Sequence, residues 1–244
     1  MRYFLELSYL GTNYHGWQRQ DNASTIQEEI EKALNILLHQ KTPVVGCGRT
    51  DAGVHAKKFF LHFDTDANTE LDTLVYNLNG ILSRDISIHR YHPASKNYHS
   101  RFQATSRSYE YHIHQQKNPF LEGLSTEIRQ PLNVELMNEA ALVLLNTKEF
   151  GAFCKAGADN HTDFCDVREA VWKKTENQLV FHITADRFLR NMVRAIVGTL
   201  LEVGVGKSTV SDFRRIVDSQ NRINAGVSVP AHGLYLTDIK YPFI

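Results

Sequence analysis

Val44-Val45-Gly46-Cys47-Gly48-Arg49-Thr50-Asp51-Ala52-Gly53-Val54-His55-Ala56 leads into Phe59-Phe60-Leu61. Two apolar runs, near 43–47 and 58–63, flank a polar connection, and reading them as two strands joined by a shaped loop organises the rest. Upstream, Ser24 and Gln27 form a capping-box pattern ahead of Ile26, Ile30, Ala33, Leu34, Leu37 and Leu38 at helical spacing. Downstream, Thr69 and Asp72 suggest another cap, with Leu71, Leu74, Val75, Leu78, Ile81 and Leu82 as a second apolar stripe. Arg2 to Tyr9 alternates, with Tyr3, Leu5, Leu7 and Tyr9 on one face, and Ile86 to Tyr91 closes the series as a strand. The order is strand, helix, strand, strand, helix, strand.

The remainder repeats it. Thr105 to His114 alternates as a strand, Asn133 to Thr147 is helical, and Asp166 to Thr175 with Leu179 to Ala185 form a hairpin. Phe188 to Val203 reads as an apolar helix, Thr209 to Val217 as another, and Gly233 to Tyr241 as the last strand. The pattern predicts an α+β fold of two ferredoxin-like βαββαβ halves, 1–100 and 101–244. Together they form a mixed, mainly antiparallel sheet with helices on one face and an active-site cleft between the halves. The halves share pattern rather than evident identity, and 92–104 reads as their connector.

The opening loop carries chemistry as well as shape. Glycines at 46, 48 and 53 allow positive φ or close approach of backbone to a ligand. Arg49 and Asp51 lie two apart, so extended chain would put both on one face. A carboxylate used as a nucleophile must stay ionised, and a nearby guanidinium favours that form. The same residues also read as a turn in which Asp51 bonds its own backbone two residues on.

Composition bounds the classes. The 244 residues carry 27 Lys and Arg against 27 Asp and Glu, with 42% hydrophobic residues, as in ordinary globular chains. No apolar stretch is long enough for a bilayer, and Met1 to Glu6 opens a strand rather than a signal peptide. Three scattered cysteines, Cys47, Cys154 and Cys165, give no disulfide framework and point to a reducing cytoplasm. The charge is uneven, however. Six bases stand against Asp85 and Glu110 between Arg84 and Lys117, and six against Glu202 and Asp212 between Arg187 and Arg215. Such stretches suit a polyanion, or are simply solvated faces.

Two further stretches place polar groups where packing alone would not. In Arg101 to Tyr111, arginines interleave with aromatics entering a strand, a mixture that can hold phosphates and stack a splayed base. Tyr111 reads as core; Tyr109, two residues past Arg107, reads equally as core or as a stacking ring. In Phe188 to Gly198, helical spacing places Arg190 and Arg194 on one face, with Arg194 buried among Met192, Val193, Ile196 and Val197. A buried guanidinium needs a partner, and Asp51 is a candidate. Arg190 reads as reaching to water.

Other motifs fail on spacing. Cys154, His161, Cys165 and Asp166 match no paired structural-zinc pattern, so no metal is expected. Gly206-Lys207-Ser208 copies the tail of a phosphate loop, but Leu201 stands where its first glycine belongs and the stretch leaves a helix. No dinucleotide fingerprint or nucleophile elbow occurs.

Taken together, these motifs resemble the tRNA pseudouridine synthase A family over essentially the whole chain. Gly48 to Ala56 resembles its catalytic signature, and Phe102-x-Ala104-Thr105-x-Arg107-x-Tyr109-x-Tyr111 its substrate-tyrosine motif. Phe188 to Arg194 resembles its buried-arginine helix, and Gly233-Leu234-Tyr235-Leu236 its last strand. The chain departs at Val229-Pro230-Ala231-His232, where the family often has paired prolines, and at Lys148-Glu149-Phe150, where it often has His-Asp-Phe. The resemblance implies isomerisation of uridine to pseudouridine at positions 38, 39 and 40 of the anticodon stem-loop of tRNA. It implies Asp51 as nucleophile, Arg49 in base flipping and Arg194 as the ion-pair partner of Asp51. Substrate contacts would come from Tyr109, Arg107, Arg101 and Lys57. It also implies a cytoplasmic homodimer that needs no cofactor or metal and no membrane. Phe120, Leu121 and Leu124 form an apolar cluster that suits either an interface or a satellite core. A non-catalytic RNA-binding module would leave Gly48 to Ala56 unexplained, and an aspartate glycosidase lacks a second carboxylate paired with Asp51.

Overall fold

The computed structural model describes residues 1–67, 71–157 and 161–244. In chain order its elements are β1 (Arg2–Tyr9), α1 (Ile26–Leu38), β2 (Val45–Gly46), β3 (His55–Asp64), α2 (Leu71–Ile81) and β4 (Ile86–Ala94). There follow β5 (Ser106–His114), β6 (Thr126–Glu127), α3 (Val134–Leu145), β7 (Val167–Lys174) and β8 (Leu179–Ala185). The chain ends with α4 (Met192–Gly204), α5 (Val210–Asp218) and β9 (Leu234–Lys240). The fold is α+β with mixed strand pairing, as the periodicity predicts.

The chain divides into two compact units, residues 1–105 with 235–244, and residues 106–234. In the first, antiparallel pairing gives the order β4-β1-β3-β2. β9 adds in parallel at one end of β3, where His55 lies opposite Tyr235 and Ala56 opposite Leu236. Phe4, Leu5, Leu7, Phe59, Phe60 and Leu61 from the strands, with Ile26, Ile30 and Leu34 from α1, are buried. The spacing of the α1 residues is what turns one stripe of the helix toward the core. The sequence places the last strand with the second half, whereas in the structure it belongs to the first unit. Its pairing with β3 is the physical reason.

In the second unit β5 and β8 pair antiparallel, with Tyr109 opposite Ile183, and β8 pairs with β7, with Trp172 opposite Phe181. The short β6, unforeseen in sequence, runs parallel to the end of β5. Asn138 of α3 joins helix to strand. Its side chain accepts from the Trp172 N–H at 2.7 Å and donates to the Trp172 carbonyl at 3.2 Å. Met137, Ala141 and Leu144 of α3, Ile196 and Leu200 of α4, and Phe213 of α5 are buried in this unit.

Local details correct several expectations. Thr25, not Ser24, caps α1 by accepting from the Glu28 N–H, while Gln27 turns to Glu31 and the Val44 carbonyl. The cap read at Thr69 and Asp72 lies outside the residues and side chains described. Asn191 takes a left-handed conformation (φ 66°), so α4 begins at Met192 and Arg190 is not on it. The shared helical face of Arg190 and Arg194 therefore does not exist. The phosphate-loop lookalike is a helix end: Gly206 has φ 76°, and the Lys207 and Ser208 N–H groups donate to the Glu202 carbonyl. Among the described residues, no helix is long and apolar enough to cross a membrane.

Candidate active site

In the first unit, Arg49 and Asp51 sit on the connection that enters β3. The Asp51 backbone carbonyl accepts from the Val54 N–H at 3.2 Å, closing a four-residue turn. Its third residue, Gly53, has φ 78°, a conformation that favours glycine. A turn is present, and the bond that closes it joins the Asp51 carbonyl to the residue three on, not the residue two on that the turn reading names. Arg49 is exposed, Asp51 half-buried, and Thr50 between them buried. Cys47 anchors the start of the loop, its N–H donating to the Phe60 carbonyl at 2.8 Å.

A second loop, Gly11 to Trp17, lies against this one. The Gly11 N–H donates to Nδ1 of the buried His55 at 2.9 Å, and a Cβ at Gly11 would fall 2.0 Å from the Val54 carbonyl oxygen. That contact requires glycine. Gly53 N–H donates to the Tyr14 carbonyl, and Trp17 N–H to the Thr50 carbonyl. The Trp17 indole stacks on Phe59 at 4.1 Å between centroids. In sequence this loop is rich in turn formers and aromatics. Its signal was the pair of glycines spaced among Tyr14 and Trp17, but the partner lies about forty residues away. Lys57, on β3, has its ammonium 5.3 Å from the centre of the Tyr235 ring, which also lies 4.7 Å from the His55 ring.

Arg101 is exposed beside Phe102, whose ring stacks on His99 at 4.3 Å. This turn is fixed to the sheet through Ser100, which has no exposed surface. The Ser100 hydroxyl donates to the Val45 carbonyl at 2.8 Å, and its N–H donates to Nδ1 of His62 at 3.2 Å.

The second unit holds the other candidates. Tyr109 is partly exposed on β5, edge-on to Phe188 with centroids 5.0 Å apart. Arg107 donates through Nη1 to the Asp186 carbonyl at 2.8 Å, so the strand and the segment leading to α4 are tied together. Tyr111 is fully buried, its hydroxyl bonded to Thr126 and donating to the Pro230 carbonyl. Burial pushes its phenol well above the usual tyrosine range. It is a core residue, as expected.

Arg194, in the first turn of α4, is half-buried rather than enclosed. Its Nε donates to the Val229 carbonyl at 2.8 Å, and the Val229 N–H returns a bond to the Arg194 carbonyl at 3.2 Å. The segment around Val227 can lie this close because position 198 is glycine: a Cβ there would meet the Val227 oxygen at 1.9 Å. Arg190 is exposed, its carbonyl accepting from the Lys155 N–H. Among the described residues, no three His, Cys, Asp or Glu side chains are grouped as metal ligands would be.

Residues 140–242 match a family model described as tRNA pseudouridine synthase. The chain is 49% identical over 245 residues to the tRNA pseudouridine synthase A of Porphyromonas gingivalis, covering 99% of this chain and 97% of that one. It is 47% identical over 241 residues to the protein of the same name from Azobacteroides pseudotrichonymphae, with 99% and 97% covered. The Bacteroides fragilis protein of that name is 47% identical over 243 residues, with 99% and 96% covered. The chain belongs to the tRNA pseudouridine synthase A family and is an isomerase.

Proposed function

We propose that this protein isomerises uridine to pseudouridine at positions 38, 39 and 40 in the anticodon stem-loop of tRNA, with Asp51 as nucleophile on a flipped-out nucleotide. The observation that carries the reading is a half-buried carboxylate at a turn held by two loops, in a chain about half identical to named tRNA pseudouridine synthases over nearly its full length. The strand order β4-β1-β3-β2 supports a ferredoxin-like first half within 1–100, carrying the Asp51 loop. The β5-β8-β7 order supports a second such half within 101–244, carrying Tyr109 and Arg194.

A stacked uracil is out of reach, so extrusion comes first, at a cost of a few kcal/mol. Arg49 braces the vacated position. Tyr109 stacks on the extruded base, a contact worth about 1–3 kcal/mol. Arg107, Arg101 and Lys57 hold the RNA backbone. Asp51 then attacks either the base or the ribose anomeric carbon, with Arg194 as its ion-pair partner. The N1–C1′ bond breaks, the uracil turns while held, C5 bonds to C1′, and the bond to the Asp51 carboxylate breaks, returning the free carboxylate. The C5 proton leaves and N1 gains one, so the rearrangement balances without cofactor, metal or redox partner.

Asp51→Asn removes the nucleophile while keeping size and polarity. It should bind tRNA and lower tritium release from C5-labelled uridine by more than about a thousandfold. Release near the wild-type rate would remove the nucleophile assignment. The protein acts in the cytoplasm as a homodimer, a state supported by Phe120, which is 86% exposed beside partly exposed Leu121 and Leu124. Sedimentation equilibrium at micromolar concentration should give twice the chain mass; the mass of one chain would exclude it.

A further inference from the structure

Thr50 is buried between two neighbours that are more exposed. It is 8% exposed, and its Oγ1 lies 2.9 Å from the hydroxyl of Tyr9, itself only 3% exposed. Successive side chains in extended backbone leave on opposite sides, so a residue pinned inward fixes the direction taken by those flanking it. The exposures follow that alternation, with Arg49 exposed and Asp51 half-buried.

The backbone of Thr50 is held as well. Its carbonyl accepts from the Trp17 N–H at 3.2 Å, and Gly16 (φ 90°) approaches so closely that a Cβ there would lie 2.4 Å from the same oxygen. Trp17 cannot shift easily, because its indole is stacked on Phe59 and fills the space over Gly46, where a Cβ would lie 2.5 Å away. Thr50 is thus fixed through its hydroxyl by β1 and through its carbonyl by the neighbouring loop.

We propose that the Tyr9–Thr50 hydroxyl pair is a positioning device for the reaction: it sets the direction of the Asp51 carboxylate and of Arg49 and adds little to RNA affinity. This rests on Asp51 being the nucleophile. Both side chains are buried, and neither hydroxyl is needed to fill space, since Phe and Val supply nearly the same volumes. Their chemistry is what the arrangement uses. A displacement of about 1 Å in a reacting group can cost on the order of a hundredfold in rate, which gives the bond its leverage.

The test compares Tyr9→Phe, Thr50→Val, the double variant and Thr50→Ser in the full-length protein. Single-turnover tritium release reports the rate, and filter binding of unmodified tRNA reports affinity. Tyr9→Phe and Thr50→Val should each slow turnover by about ten- to a hundredfold with tRNA Kd within about twofold of wild type. The double variant should be no slower than the slower single one, because one bond is being removed twice. Thr50→Ser, which keeps the hydroxyl, should restore most of the rate. Wild-type turnover in both hydroxyl-deleted variants would overturn the proposal. So would weakened tRNA binding with an unchanged saturated rate, or loss of the folded circular dichroism spectrum in both. If Asp51→Asn proves active, the nucleophile reading itself falls. If Asp51→Asn is inactive while Tyr9→Phe and Thr50→Val are fully active, only the positioning role is lost.

Discussion

His62 illustrates how a single buried group ties chemistry to stability. It is 4% exposed on β3, stacked near Phe4, and its Nδ1 accepts the Ser100 N–H. Burial, helped by the charges of Arg2 and His99 and opposed by Asp64, lowers its pKa to about 4. An unfolded histidine titrates near 6.5, so between about pH 6.5 and 4 the unfolded chain binds the extra proton. Stability therefore falls as pH drops through that window. Allowing for solvent screening, the loss from this group is on the order of 1 kcal/mol by pH 5. Urea midpoints from pH 7 to 5 should decline in the wild type and decline less in His62→Gln; parallel slopes would deny His62 the effect. At this scale the sequence shows which residues are chemically out of place, such as Asp51 on a glycine-flanked turn, but not what holds them. Tyr9 and Trp17 read as ordinary strand and loop aromatics, because their partner Thr50 is more than thirty residues away. The same gap explains the α1 cap: Ser24 and Thr25 offer equal chemistry, and the difference lies in backbone conformation.

Among elements, legibility follows length and periodicity. α1, α3, α5 and the β7–β8 hairpin lie within a residue or two of their sequence boundaries, since an apolar stripe or alternation runs through each. β6 has two residues and no pattern to read. α4 begins later than its hydrophobicity implies because Asn191 is left-handed, and asparagine tolerates that conformation better than most residues. The error matters for function: it removes Arg190 from the helix and leaves Arg194 in the first turn, bonded to the Val229 backbone. β9 could be read as a strand from Gly233 to Tyr241, but parallel pairing with β3 brings together residues 180 apart. No local pattern specifies such a partner.

For the molecule as a whole, a chain with 27 bases and 27 acids must draw a polyanion through local charge rather than net charge. The structure thins the two base-rich stretches. Arg90 is engaged by Glu6 at 3.1 Å, Arg215 by Asp212, and Arg107 and Arg194 by backbone carbonyls. Arg84, Lys96, Arg101, Lys117, Arg190, Lys207 and Arg214 are exposed. Binding of tRNA, the proposed substrate, should weaken linearly with the logarithm of salt, with a slope of about −0.7 to −0.9 for each phosphate neutralised. Arg101→Ala should reduce the magnitude of that slope by about 1, because it deletes one phosphate contact. Arg90→Ala should leave the slope unchanged, since Glu6 already offsets that charge. Arg107→Ala should combine two effects, reducing the slope by about 1 through a lost phosphate contact and weakening affinity at every salt concentration through a displaced Asp186 to Phe188 segment. Filter binding between 50 and 300 mM salt, a sixfold range over which the Debye length falls by about 2.4-fold, separates the three. An unchanged slope in Arg101→Ala would remove that residue from the RNA contacts and shift the search to Lys96 and Lys117.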